Sequence, residues 1–166
     1  KQYKLDEPDL GKLKQRVDVV PVAMALAQAA NESGWGTSRF ARKGNALFGQ
    51  WTWDTSKAMA PKSRQDGKGE YGVRVFPTLG ASVAGYMRNL NTHSAYAPFR
   101  RLRAEQRKGG DGLDAHRLMA GLKAYSQRGD AYVKEIRGMI RHNDYRKLAA
   151  AELATQPPSV MASGGL

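Results

Sequence analysis

Hydrophobic and polar positions along the chain fall into three patterns. From Pro21 to Gly36 the sequence is almost continuously apolar, with Gln28 set among alanines. This predicts a helix buried on every side rather than laid on a surface. Pro21 suits its first turn, Gly34 suits a left-handed stop, and Glu32 falls in the last turn. From Thr78 onward the spacing is helical. Val83, Tyr86, Met87 and Leu90 mark one helix, and Pro98 opens another that runs to about Lys108 before Gly109-Gly110. Leu113, Leu118, Met119 and Leu122 mark a third. Asp130 is placed to cap a fourth, which buries Val133, Ile136, Met139 and Ile140, and a short helix follows over 144–154. The third pattern is strand-like: Tyr71, Val73 and Val75 alternate with Gly72, Arg74 and Phe76 after the hairpin signal Asp66-Gly67.

The segments between are less regular. Residues 1–12 read as a polar, extended lead-in, and 12–20 have no assigned conformation. Thr37 or Ser38 can cap a short helix through Arg42, which Gly44 ends. Asn45 to Trp53 is a loop or short strand carrying Leu47, Phe48, Trp51 and Trp53, and 54–70 have no helical period. The expectation is one domain over 1–154, mainly α with a small β-hairpin lobe, and a flexible linker-like tail over 155–166.

Composition narrows the chemistry. The chain lacks cysteine, which removes thiol catalysis and disulfides, and its three histidines are scattered. No His-Glu-x-x-His helix, Gly-x-Ser-x-Gly elbow or phosphate-binding loop is present. Gly67-x-Gly69-x-x-Gly72 precedes a strand and opens no helix, so it is not a dinucleotide site. No metal or cofactor is expected, and no apolar stretch is long enough to cross a membrane. The formal net charge of +12 favours polyanionic partners, with the densest cluster at Arg100, Arg101, Arg103, Arg107 and Lys108. That cluster lacks the interleaved aromatics of a nucleic-acid surface, so nucleic acid is not the expected partner.

Carboxylate chemistry remains, and Glu32 is its leading candidate. A carboxyl at the negative end of a buried helix, near apolar neighbours including Trp35, should hold its proton more tightly than usual. A carboxylic acid still protonated near neutrality suits general-acid catalysis.

The string Ala27-Gln-Ala-Ala-Asn-Glu-Ser-Gly-Trp-Gly-Thr-Ser-Arg-Phe-Ala41, followed by Gly44-Asn-Ala-Leu-Phe-Gly49, resembles glycoside hydrolase family 73 and its Bax-type subgroup. Val73-Arg-Val-Phe76, Tyr86, Asn89-Leu-Asn-Thr-His-Ser-Ala-Tyr96, and Tyr125 with Tyr132 extend the resemblance across roughly 15–148. It implies a lysozyme-like, mostly helical glucosaminidase domain with a cleft beside its β-lobe. The implied reaction is hydrolysis of the β-1,4 bond after N-acetylglucosamine in bacterial peptidoglycan, with Glu32 as the acid. The implied setting is the periplasm, cell envelope or exterior, reached through a targeting segment outside this chain, and the protein is expected to be a monomer.

The resemblance also implies that Tyr96 faces Glu32 across the cleft, near the sugar N-acetyl group or a water. Trp35, Phe48, Trp51, Tyr125 and Tyr132 become candidate substrate contacts. Relatives carry a glutamate just before the hairpin turn, where this chain has Lys62, Ser63, Arg64 and Gln65. Glu70 is the chosen second catalytic group, with Asp54 and Asp66 as local alternatives. The departure leaves open assistance by the substrate acetamido group, a lytic transglycosylase, a muramidase on the same fold, or a non-catalytic wall-binding relative.

Overall fold

The computed structural model describes residues 3–5, 7–61, 70–110 and 112–151. The expected mainly helical architecture with a small sheet is present. Helix α2 (Val22–Ser33) runs through the middle, with Ala23, Met24, Ala27 and Gln28 buried. Around it pack α4 (Leu79–Thr92), α5 (Ala97–Gly109) and α7 (Asp130–His142), which contribute Tyr86, Leu90, Phe99, Tyr132, Val133, Ile136 and Ile140 to one core. Of these, the 3.6-residue spacing singles out Tyr86, Leu90, Val133, Ile136 and Ile140; Val83, which it also marks, is exposed, and Met87 and Met139 are half-buried. Among the described residues, no helix is long and apolar enough to cross a membrane.

Several local readings need correction. The lead-in contains a helix, α1 (Leu10–Arg16), started by Asp9, whose side chain accepts from the Lys12 N–H at 2.9 Å. Asp130 does not cap α7: Gly129 holds that position at φ 51°, and the Asp130 carboxylate pairs with Lys123 at 2.8 Å instead. The third helical pattern breaks into α6 (Ala115–Leu118) and a 3-10 segment, Met119–Tyr125. Gly121 explains the tight geometry there, since a β-carbon on it would lie 2.4 Å from the Phe99 α-carbon. The last helix is a 3-10 turn over Tyr145–Ala150. The hairpin signal Asp66-Gly67 and the tail 155–166 lie outside the described residues.

The arginine cluster is divided: Arg100 and Arg103 are buried, whereas Arg101, Arg107 and Lys108 are exposed. Arg100 donates to the carbonyls of Leu90 and His93 at 2.9 and 2.8 Å, which satisfies the end of α4. Arg103 is 1% exposed and donates to the Gln15, Asp18 and Val19 carbonyls and to the Asn91 side chain. Arg107 pairs with Asp18 at 2.8 Å. Two of these cations, Arg103 and Arg107, fasten the end of α1 and the chain after it to α5, and Arg103 does so because buried guanidinium donors require acceptors. Arg100 and Arg103 are thereby withdrawn from any open binding surface.

The β-lobe has three short antiparallel strands, β1 (Trp51–Thr52), β2 (Ala58–Met59) and β3 (Gly72–Arg74), in the order β1-β3-β2. Trp51 pairs with Val73 and Ala58 with Arg74. The lobe docks on the end of α3 (Arg39–Gly44), where the Phe76 N–H donates to the Gly44 carbonyl at 2.8 Å and Asn45 donates to the Phe76 carbonyl. Glycine is needed at 44 because a β-carbon there would lie 2.7 Å from Val75. This joint fixes Trp51 and its neighbours beside the end of α2.

Candidate active site

Glu32 is placed by the end of its helix. Gly34 takes a left-handed conformation (φ 58°, ψ 53°), and the Trp35 N–H returns to the Ala30 carbonyl at 2.7 Å, which stops α2 one turn beyond Gln28. The carboxyl then meets the loop after α3. Gly49, at φ 58°, lies so close that a β-carbon would sit 3.1 Å from Glu32 Oε2. Tyr125 holds this loop by donating to the Phe48 carbonyl at 3.0 Å.

Burial pushes the Glu32 carboxyl above its ordinary value. Hydrogen bonds from Asn31 and Tyr132 and the charge of Arg128 oppose that shift, while Glu135 adds to it, and burial prevails. Asn31 Nδ2 donates to Oε1 at 3.2 Å. Oε2, the other carboxyl oxygen, lies beside Gly49.

Glu32 opens into a cleft of about 970 Å³ between helical body and β-lobe. Trp51, Trp53 and Tyr71 form the lobe side, with Trp51 and Trp53 55% and 74% exposed. Asn89, Tyr96, Tyr125 and Arg128 form the helical side. Among the described residues that line the cleft, Glu32 is the only acid. Tyr96 is almost buried, hydrogen-bonds with Asn89, and has its hydroxyl pushed up first by burial and also by the Glu32 charge.

An acid raised by burial, beside flat exposed aromatic rings and an open cleft, is suited to protonating an ether oxygen of a sugar chain. Residues 7–145 match the family model of the glucosaminidases, described as mannosyl-glycoprotein endo-beta-N-acetylglucosaminidase. The chain belongs to the glucosaminidase family. It is also similar to Protein bax of Escherichia coli (strain K12), with 39% identity over 141 residues. That match covers 85% of this chain and 48% of Protein bax, so the chain spans about half the length of this curated relative.

Within this glucosaminidase domain the candidate residues separate into layers. Glu32, Phe48, Trp51, Tyr96 and Tyr125 share the cleft. Trp35 does not: it turns outward at φ 56° and is 62% exposed, so it is not the neighbour that desolvates Glu32. Tyr132 has no exposed surface and lies behind Tyr125, stacked on it at 5.6 Å, so it reaches Glu32 from beneath and does not face the cleft. Glu70 is exposed on the lobe and precedes Tyr71, but does not itself line the cleft. Asp54 is exposed too, and hydrogen bonds from Ser56 and Lys57 hold its carboxyl below the usual range. Asp66 lies outside the described residues.

Sequence reasoning missed Gln28, Gly49, Asn89 and the Arg128–Glu135 ion pair at 2.6 Å. Gln28 carried a signal: a polar side chain in an all-apolar helix must find buried partners. Gly49 carried none, because its role depends on a contact 17 positions away.

Proposed function

We propose that this glucosaminidase-family domain is a peptidoglycan hydrolase, an endo-β-N-acetylglucosaminidase that acts outside the cytoplasm with Glu32 as general acid. The observation that carries the reading is the Glu32 carboxyl, raised by burial, at the floor of an aromatic-lined cleft. The Glu32 proton is delivered to the glycosidic oxygen as the bond to the anomeric carbon breaks, and charge develops on the sugar ring. Trp51 and Trp53 offer flat apolar surfaces to the sugar faces, and Tyr96 and Asn89 offer polar contacts to the acetamido group or a water. Arg128 eases the negative charge left on Glu32.

Glu70 is the lobe carboxylate proposed to activate water from the opposite side, as inversion requires a second group. A second reading is favoured by one observation, that Glu32 is the only acid among the described lining residues. A lytic transglycosylase needs one acid, since the sugar's own hydroxyl closes the ring. Replacing Glu32 with Gln keeps the shape but removes the proton. Glu32→Gln is expected to reduce peptidoglycan hydrolysis by about 100- to 10,000-fold. A folded variant retaining more than half its activity would overturn the assignment.

A further inference from the structure

Gln50, Trp51 and Asn89 line the cleft and also a second groove of about 870 Å³ between the β-lobe and α4. Its charged lining is of one sign. Lys57 comes from the turn between β1 and β2, Arg74 from β3, Arg88 from α4 and Lys4 from the chain before α1. No carboxylate among the described residues lines the groove with them. The Lys4 carbonyl accepts from Arg16 on α1 at 2.6 Å, which ties this segment down. The Arg74 guanidinium stands 5.1 Å from the centre of the Phe76 ring, another part of the groove wall. Lys57 pairs with Asp54 at 3.0 Å, but Lys4, Arg74 and Arg88 have no ion-pair partner among the described residues.

Like charges gathered without a counter-charge repel one another, and a groove concentrates their field. An anionic ligand relieves that repulsion. The position of the groove identifies which anion. It meets the cleft at Trp51, whose ring is 55% exposed, so a sugar laid on that ring stands at the mouth of the groove. An uncharged glycan would leave the cations unmatched. In peptidoglycan, every second sugar bears a lactyl-linked peptide with free carboxylates.

We propose that this groove binds the peptide stem of peptidoglycan, with its carboxylates paired to Arg74, Arg88 and Lys4, so that the domain prefers stem-bearing strands to bare glycan. This rests on the peptidoglycan reading above. The excess positive charge acts here, on four cations brought together from separate elements, and not through the buried Arg100 and Arg103.

Binding is measured with Glu32→Gln as the parent, by the change in tryptophan fluorescence on mixing, since Trp51 and Trp53 line the cleft. Soluble peptidoglycan strands of one length are supplied with intact stems, with the stem carboxyls amidated, and with the stems removed by an amidase. Intact strands are expected to bind several-fold more tightly than either other form, and the difference should shrink as salt rises. An exposed charge pair contributes about 1.4- to 5-fold in affinity. Adding Arg74→Gln and Arg88→Gln together should therefore weaken binding of intact strands by about 2- to 25-fold and leave amidated strands nearly unaffected.

Equal affinity for intact and amidated strands overturns the proposal. So does equal affinity for stripped strands, since the lactyl carboxylate alone would then suffice. An unchanged affinity for intact strands in the double variant, or a loss shared by all three forms, overturns it as well. If no form is bound, the peptidoglycan reading falls and the stem site falls with it, whereas equal binding of all three forms removes the stem site alone. The signal on mixing precedes turnover, so it stands whether or not Glu32 is the acid.

Discussion

Gly49 lies so close to the carboxyl of Glu32 that a β-carbon on it would sit 3.1 Å from Oε2, a contact the carboxyl could relieve only by shifting a few tenths of an ångström. The backbone at φ 58° adds a second demand for glycine, since a side chain in the left-handed region costs about 1–2 kcal/mol. Gly49→Ala should lower Tm modestly and reduce activity on peptidoglycan by at least about tenfold, through displacement of the carboxyl from its place in the cleft. Parallel melting and rate measurements check this, and full activity would show that Glu32 tolerates displacement.

Stability should record the same burial. The folded protein binds the Glu32 proton more tightly than the unfolded chain does, so the fold is penalised as pH rises through and above the raised folded value. Below the ordinary carboxyl value of 4.5 the acid is protonated in both states and the penalty vanishes. Glu32→Gln should therefore raise Tm at pH 7 and bring little or no gain at pH 3.5 to 4. Melting curves at the two pH values check the sign, and equal Tm changes at both would contradict the burial argument.

The lobe acids give a third prediction. If Glu70 activates water, Glu70→Gln should slow hydrolysis about as much as Glu32→Gln does. Asp54→Asn, which removes an exposed carboxylate already paired with Lys57, should leave the rate nearly unchanged. Initial rates on purified peptidoglycan compare the three variants. Near-normal turnover in Glu70→Gln would show that the substrate's acetamido group or an internal hydroxyl takes the second role.

Much of the architecture was legible because burial leaves a period in the sequence. Val133, Ile136 and Ile140 reported α7, and Gly34 reported the stop that places Glu32. Positions set by long-range approach were silent. Gly121 passes the Phe99 backbone too closely for any β-carbon, next to the non-helical Leu122, and only the fold reveals that demand. The arginines between 100 and 107 read as a surface cluster because charge is normally solvated. The burial of Arg103 depends on carbonyls supplied by residues 15–19, on a different helix and the turn after it, and that of Arg100 on the carbonyls of Leu90 and His93. In the site, Glu32 stood out by its place on an apolar helix. The resemblance implies that Trp35 and Tyr132 contact substrate, whereas a left-handed turn sends one outward and core packing draws the other beneath.

The central claim, cleavage after N-acetylglucosamine by protonation from Glu32, is tested most directly by the chemistry of the new chain end. Purified peptidoglycan digested with the protein and analysed by mass spectrometry should yield fragments with N-acetylglucosamine at the new reducing end, each carrying one added water, and Glu32→Gln should yield none. Fragments ending in N-acetylmuramic acid, or in an anhydro sugar without the added water, would contradict it.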